Sequence, residues 1–240
     1  MSRFYADIPL SINTIVELPE MVFHHWTRVL RAGLGDQATF FNGLGGEYVV
    51  ELIEINKKNA QARVISFDSI DRTQPYFVTL GEVMSKGDRM DYAIQKATEL
   101  GVGAIQLLTS ERCEMRLKYD RDQKKIDHWQ QVAIAACEQC GLNRVPKILA
   151  PLSLDDWLLI IQSELKLVLA PIDATNPLPK VLPATISLLI GAEGGLTQNE
   201  IEQAERTGFV KWQLGDRVLR TETAPVVALA QLMLSSQQFN

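Results

Sequence analysis

Apolar and polar positions change rhythm about a third of the way along the chain. Up to residue 72 the apolar residues fall in short runs rich in β-branched and aromatic side chains. Residues 37–41 and 47–55 are two such runs, and Asn42-Gly43-Leu44-Gly45-Gly46 between them has the composition of a hairpin turn. Residues 60–67 form a third, with Ala60, Ala62, Val64 and Ile65 apolar. One helix is predicted from about Pro19 to Ala32, closed by Gly33. Many short strands and one helix predict a small closed sheet. The polar, proline-terminated stretch from Asp68 to Pro75 reads as a boundary, giving one domain at 1–72 and a second at 73–240.

Beyond the boundary strands and helices alternate. Residues 77–84 read as a strand and Ser85-Lys86-Gly87-Asp88 as a turn. Met90, Ala93, Ile94, Ala97 and Leu100 then share one helical face that Gly101 ends. Residues 102–108 are a second strand, and a helix from about Asp122 to Cys140 buries Ile126, Trp129, Val132, Ala133, Ala136 and Cys140. Ser153-Leu154-Asp155-Asp156 and Thr197-Gln198-Asn199-Glu200 have capping-box spacing and open two further helices, the second ending at Gly208. Residues 167–171 and 186–190 are short, wholly apolar strands of the kind buried on both faces. Residues 210–214 form the last strand, and a helix runs from about Thr223 to Gln238. Alternation of this kind predicts an α/β domain with a parallel sheet.

Composition adds limits. Hydrophobic residues make up 46% and charged residues 22% of the 240, which excludes a disordered chain. No apolar run approaches the ~20 residues that span a bilayer, and Asp7 lies where a signal peptide needs apolar residues. Three cysteines suit a reducing compartment, so a cytoplasmic protein without membrane association is expected. The net charge of −5 argues against indiscriminate nucleic-acid binding. Residues 84–147, however, hold 11 basic against 9 acidic side chains, which leaves room for a focused polyanion site. Cys137-Glu138-Gln139-Cys140 has the gap of a metal pair but no further ligands, so no metal is expected and the cysteines read as helix packing. Trp26 reads as a core residue, and His24 and His128 as surface ones.

Chemistry concentrates in two loops. The buried strand ending at Ile190 runs into Gly191-Ala192-Glu193-Gly194-Gly195, followed at once by a capped helix. Glycines there allow backbone to approach a ligand, and α/β sheets bind ligands beyond the carboxyl ends of their strands. The second loop, Leu214-Gly215-Asp216-Arg217-Val218-Leu219-Arg220-Thr221-Glu222-Thr223-Ala224-Pro225, also joins a strand to a helix. Helix capping explains its threonines but not Arg217 and Arg220.

Together the two loops resemble the signature of the bacterial 16S rRNA (uracil-N3)-methyltransferases, members of the SPOUT class of knotted methyltransferases. That family has Gly-Pro-Glu-Gly-Gly where Ala192 here replaces the proline, and Leu-Gly-x-x-Ile-Leu-Arg-x-Glu-Thr-Ala where Val218 replaces the isoleucine. Lys96-Ala97-Thr98-Glu99-Leu100-Gly101 and Glu138-Gln139-Cys140-Gly141 resemble two further family segments, although Leu142 stands where an arginine is common. The run His25-Trp26-Thr27-Arg28-Val29-Leu30-Arg31 fits the family's N-terminal domain.

The resemblance implies an N-terminal PUA-like RNA-binding β-barrel and a parallel-sheet SPOUT domain with a trefoil knot. It implies S-adenosyl-L-methionine as methyl donor, bound by Leu169, Ala170, Ile190, Gly191, Glu193, Gly194, Gly195, Leu214, Gly215, Leu219, Arg220 and Thr221. Arg3, His25, Arg28, Arg31 and Arg89 are the residues expected to contact RNA, in 16S rRNA or the small ribosomal subunit. Methylation at N3 requires that nitrogen to lose its proton, so Glu138 and Glu222 are candidate bases. Arg112, Arg144 and Arg220 are candidate stabilisers of the uracil anion. Knotted domains of this class pair across their cofactor loops, and the almost unbroken apolar run from Ala224 to Leu234 fits a homodimer. Two other readings are ribose 2′-O methylation by the same fold and a non-catalytic RNA-binding assembly factor.

Overall fold

A computed structural model describes residues 1–115, 123–170 and 176–237. The chain forms two compact units, Met1–Thr73 with Cys137–Val145, and Gln74–Ala136 with Pro146–Asn240. The first unit thus takes in a segment from the middle of the chain, a return that reading a boundary at residues 68–75 does not contain.

In the first unit the strands are β1 (Ser2–Tyr5), β2 (Ile15–Glu17), β3 (Gln37–Phe41), β4 (Glu47–Ile55) and β5 (Ala60–Asp68). They form one ladder in the order β1-β3-β4-β5-β2, with β1 and β3 parallel and the other pairs antiparallel. Two irregularities in the β4–β5 register increase the bend of the sheet. Its interior is aromatic: Trp26 packs 5.8 Å from both Phe4 and Phe40, as expected of a core tryptophan. The helix expected over 19–32 is instead a four-residue α1 (Glu20–Phe23) continued by a π-helical stretch, His24–Val29. Thr27 donates its hydroxyl to the Phe23 carbonyl at 2.8 Å, competing for the acceptor that an α-helical bond would use.

The returning segment completes this unit. Glu138 Oε1 accepts the amide of Tyr5 on edge strand β1 at 2.9 Å. Phe41, Cys137 and Leu142 form a second buried cluster, and burial, with Cys140 nearby, pushes the Cys137 thiol up to about 12. Arg3 and Arg72 both reach the Glu47 carboxylate, at 2.5 and 3.2 Å, and both donate to carbonyls of the segment. Although burial pushes the Glu47 carboxyl up, these two guanidinium groups hold it below the usual carboxylate range.

The second unit contains a wholly parallel sheet. Its strands are β6 (Phe77–Val83), β7 (Ala104–Thr109), β8 (Lys147–Ser153), β9 (Leu165–Leu169), β10 (Thr185–Ile190) and β11 (Val210–Trp212), in the order β11-β9-β10-β6-β7-β8. The order grows outward from β6 to β8 and then resumes on the other side of β6. Direction therefore reverses between β6 and β10, the place where open α/β sheets leave a crevice beyond their carboxyl ends. The helices are α2 (Arg89–Glu99), α3 (Gln123–Cys140, whose last turn enters the first unit), α4 (Leu154–Ile160), α5 (Gln198–Arg206) and α6 (Ala224–Gln237). None of the described helices is long and apolar enough to cross a membrane.

Thr197 and Glu200 form the reciprocal capping box their spacing predicts. At α4 only half a box forms, because Asp156 accepts the Ser153 hydroxyl rather than a backbone amide. The patterns expected at Asp122, Pro171 and Gln238 lie outside the described residues.

Gly81 in β6 faces the fully buried ring of Trp157, and a Cβ there would lie 2.5 Å from the ring. Gly81→Ala is expected to lower stability by about 1–3 kcal/mol through overpacking. A urea unfolding midpoint unchanged from wild type would contradict that reading of the contact.

Candidate functional site

A cavity of about 590 Å³ opens at the carboxyl ends of β9, β10 and β11, within the usual size range of small-molecule sites. One wall is the end of β9, Leu169 and Ala170. The floor is Ile190 with the glycine-rich loop after it, residues 191–196. The opposite wall runs from Trp212 through the loop 213–222 to Ala224 at the start of α6. Arg89, from the first turn of α2, and Arg112, from the loop after β7, complete the rim.

The two loops are tied together. Thr221, buried, donates its hydroxyl to the Gly191 carbonyl at 2.8 Å and lies 3.5 Å from the hydroxyl of Ser85, just past β6. Gly191 must be glycine, because a Cβ would sit 2.8 Å from the Leu196 nitrogen and 2.9 Å from the Gly195 carbonyl carbon. Arg112 donates to the Gly194 carbonyl at 2.9 Å. Behind the loop, Glu200 accepts the amides of Thr197 at 2.7 Å and Glu111 at 2.8 Å, so one carboxylate fixes both the helix start and the neighbouring loop.

Charge at the rim centres on Arg89. Its guanidinium meets Glu193 at 2.5 Å and Glu222 at 3.7 Å, and Arg220 lies 4.0 Å from Glu222 with its own side chain largely in solvent. Burial pushes the Glu193 carboxyl up, but its hydrogen bonds to its own amide, to Arg89 and to the Lys86 amide prevail and hold it low. Glu82, at the end of β6, is 1% exposed. Burial, reinforced by the charges of Glu193 and Glu222, pushes its carboxyl well above the usual range.

All twelve residues expected to hold a cofactor line this one cavity, as do Arg112, Arg220 and Glu222 from the candidate catalytic set and Arg89 from the RNA set. Glu138 and Arg144 belong to the first unit, where Glu138 receives the Tyr5 amide and Arg144 pairs with Asp71 at 3.0 Å. Arg3, His25, Arg28 and Arg31 are there too. Arg3 is engaged with Glu47, and Arg28 donates to the Lys57 carbonyl at 2.8 Å over the Phe23 ring. His25 and Arg31 are exposed, Arg31 with a left-handed φ of 57°. The sequence reading did not single out Leu196, Ile201, Trp212, Gln213 or Ala224 as lining residues. Trp212 lies just before the second loop and Ala224 inside it, and only that position could have marked them.

Residues 72–233 match the family described as RNA methyltransferase domain, and residues 18–65 match the RNA methyltransferase PUA domain. The ribosomal RNA small subunit methyltransferase E of Buchnera aphidicola subsp. Schizaphis graminum is 35% identical over 236 residues, 97% of this chain and 95% of that one. The protein of the same name from Bacillus subtilis is 32% identical over 252 residues, covering 99% and 98%. A crystal structure of a ribosomal RNA small subunit methyltransferase E from Neisseria gonorrhoeae, bound to S-adenosyl methionine, superposes with a TM-score of 0.91 at 37% identity, covering 98% and 97%. The chain therefore belongs to the RNA methyltransferases with an N-terminal PUA domain. Within them its family is that of the ribosomal RNA small subunit methyltransferase E proteins.

Thr221→Val, which removes the hydroxyl and keeps the shape, is expected to cost about 1–2 kcal/mol by leaving the Gly191 carbonyl unpaired. Gly191→Ala should be the more damaging change, since backbone rather than a side chain must move. Calorimetric melting of both variants checks the ranking, and equal melting temperatures would contradict it.

Proposed function

We propose that the protein transfers a methyl group from S-adenosyl-L-methionine to N3 of a uridine in 16S rRNA. One observation carries the reading: the two loops held by Thr221 enclose a cavity lined by Glu222 and four arginines. The cavity fits the donor chemically. Its floor is built where backbone comes close enough to exclude a Cβ at Gly191, and apolar Leu169, Ile190 and Leu219 form walls for a flat ring. Leu169, Ala170, Ile190, Gly191, Leu214 and Thr221 would hold the donor, which supplies an activated methyl on a sulfonium centre.

The residues then have separable tasks. Uracil N3 becomes nucleophilic only as its proton leaves, and Glu222 is the carboxylate in the wall that can accept it. The negative charge spreads to the ring oxygens, where the exposed guanidinium of Arg220 and that of Arg112 can meet it. Arg89 holds Glu193 and Glu222 on one side of the rim. Glu138 and Arg144 act in this reading through the first unit, whose exposed His25 and Arg31, with Arg28, meet RNA.

The donor site belongs to the trefoil-knotted arrangement that the family resemblance implies, and the protein works as a cytoplasmic homodimer. Helix α6 supports the pairing: it buries Ala224, Ala228, Leu229 and Leu232, while Val226, Val227, Ala230, Met233 and Leu234 stay partly or well exposed on another face. An apolar face of that kind calls for a cover, and a second copy provides one.

Incubation with labelled donor and small subunits or 16S rRNA, followed by nucleoside mass spectrometry, tests the reading. The expected product is 3-methyluridine, whereas a 2′-O-methyl nucleoside or donor binding without transfer would overturn it. Glu222→Gln should lower kcat by about 10²–10⁴-fold with donor affinity little changed. RNA affinity should fall steeply with salt, and Arg28→Ala with Arg31→Ala should flatten that dependence. Leu234→Glu should yield monomers in sedimentation, and a wild-type protein active as a monomer would remove the dimer from the reading.

A further inference from the structure

Glu82 has no evident reason to be where it is. It lies near the carboxyl end of the central strand β6, between Ile190 of β10 and Leu107 of β7 in register, at a position where a parallel sheet buries apolar side chains. Its carboxyl is enclosed, and Oε2 finds no hydrogen-bond partner among the described residues. A second buried oxygen makes no hydrogen bond: Oε2 of Glu222, the carboxylate read above as the base, which has Arg89 Nε at 3.7 Å, beyond hydrogen-bond distance.

Elements already joined connect the two residues. Ile190, opposite Glu82, precedes Gly191, whose carbonyl accepts from Thr221, the residue before Glu222. On the same side Ser85, three residues past Glu82, lies 3.5 Å from the Thr221 hydroxyl. The negative charges that reach Glu82 are those of Glu193 and Glu222. The surrounding charged groups are Arg89 from α2, paired with Glu193 and near Glu222, Arg220 at 4.0 Å from Glu222, Lys86 in the turn, and Arg112, committed to the Gly194 carbonyl. The arginines thus contact Glu193, Glu222 or backbone, the Lys86 ammonium pairs with Glu114 while its amide reaches Glu193, and no described cation pairs with Glu82.

A carboxyl placed this way has one inexpensive state. Ionised, it would be a third negative charge beside two others with no counter-ion, which burial does not tolerate. Protonated, it has one O–H to donate, and the Glu222 carboxylate has an oxygen that Arg89 approaches without hydrogen-bonding. We propose that Glu82 is a positioning residue for the methyl-transfer site, kept as the neutral acid so that its O–H serves the Glu222 carboxylate and one proton is held between the two. It rests on the reading of Glu222 as the base. The pair has a mechanistic use, because a donated O–H holds the base in place until uracil presents its N3 proton.

Glu82→Gln retains a donor that cannot ionise, and Glu82→Leu retains neither donor nor charge. In the pH dependence of methyl transfer, Glu82→Leu should move the acid limb to higher pH, because the charged base loses its donor, and should lower kcat by on the order of tenfold or more. Glu82→Gln should recover most of that loss, and donor affinity by calorimetry should hardly change in either. If Glu82 were instead ionised, its removal would relieve repulsion and move the acid limb to lower pH. A shift in that direction, or none, overturns the proposal.

A readout without donor or RNA separates this from the function itself. A buried acid held neutral in the fold loses stability as pH rises above the unfolded value near 4.5, because the unfolded chain ionises first. Glu82→Gln should therefore melt above wild type near about pH 8, with the gap closing toward about pH 5. The infrared carbonyl band of a protonated carboxyl at neutral pH should disappear in the same variant. Absence of both effects overturns the proposal even if wild type methylates, and their presence in a protein that does not methylate would count against the function alone.

Discussion

The hydroxyl of Thr221 on the carbonyl of Gly191 is the contact on which the cavity depends. It joins residues thirty positions apart in two different loops, and neither loop has regular structure of its own at that point. The contact exists because β9 pairs in parallel with both β10 and β11, so that the loops after β10 and β11 emerge at the same end of the sheet. It also needs the close approach at Gly191, where Leu196 and Gly195 backbone occupy the space of a side chain. Remove either condition and the wall carrying Glu222 is no longer set against the floor carrying Ile190.

Much of the second unit could be read from residue order alone. Its strands are short, apolar and separated by capped helices, and such segments announce both their type and their burial. Strand β8 escaped, because Lys147, Ala150 and Pro151 break the apolar pattern, and an edge strand tolerates a proline. In the first unit, β1 and β2 are too short to show alternation, and the π-helical turn depends on a side-chain hydrogen bond that no periodicity displays.

The cavity was legible for a different reason. Its residues are sequence-local, lying in two loops whose glycines, arginines and threonines have few structural explanations. What escaped were contributors from elsewhere: Ile201 on α5, the ring of Trp212, and the buried carboxyl of Glu82, which in the sequence is one polar letter in an apolar strand. Glu138 shows the opposite limit. A glutamate in a distinctive motif invites a chemical role, yet its carboxylate takes an edge-strand amide, and burial pushes it up while that amide pulls it down.

The discontinuous make-up of the first unit bears on how the chain is made. When Thr73 leaves the ribosome, the strands are present but Cys137, Leu142 and the acceptor for the Tyr5 amide are not. At roughly 5–20 residues per second, several seconds pass before Val145 is added. During that interval β1 offers an unprotected edge to any neighbouring nascent chain. Maturation of the N-terminal unit thus waits on the synthesis of β6 and β7, so the two units cannot fold in simple chain order.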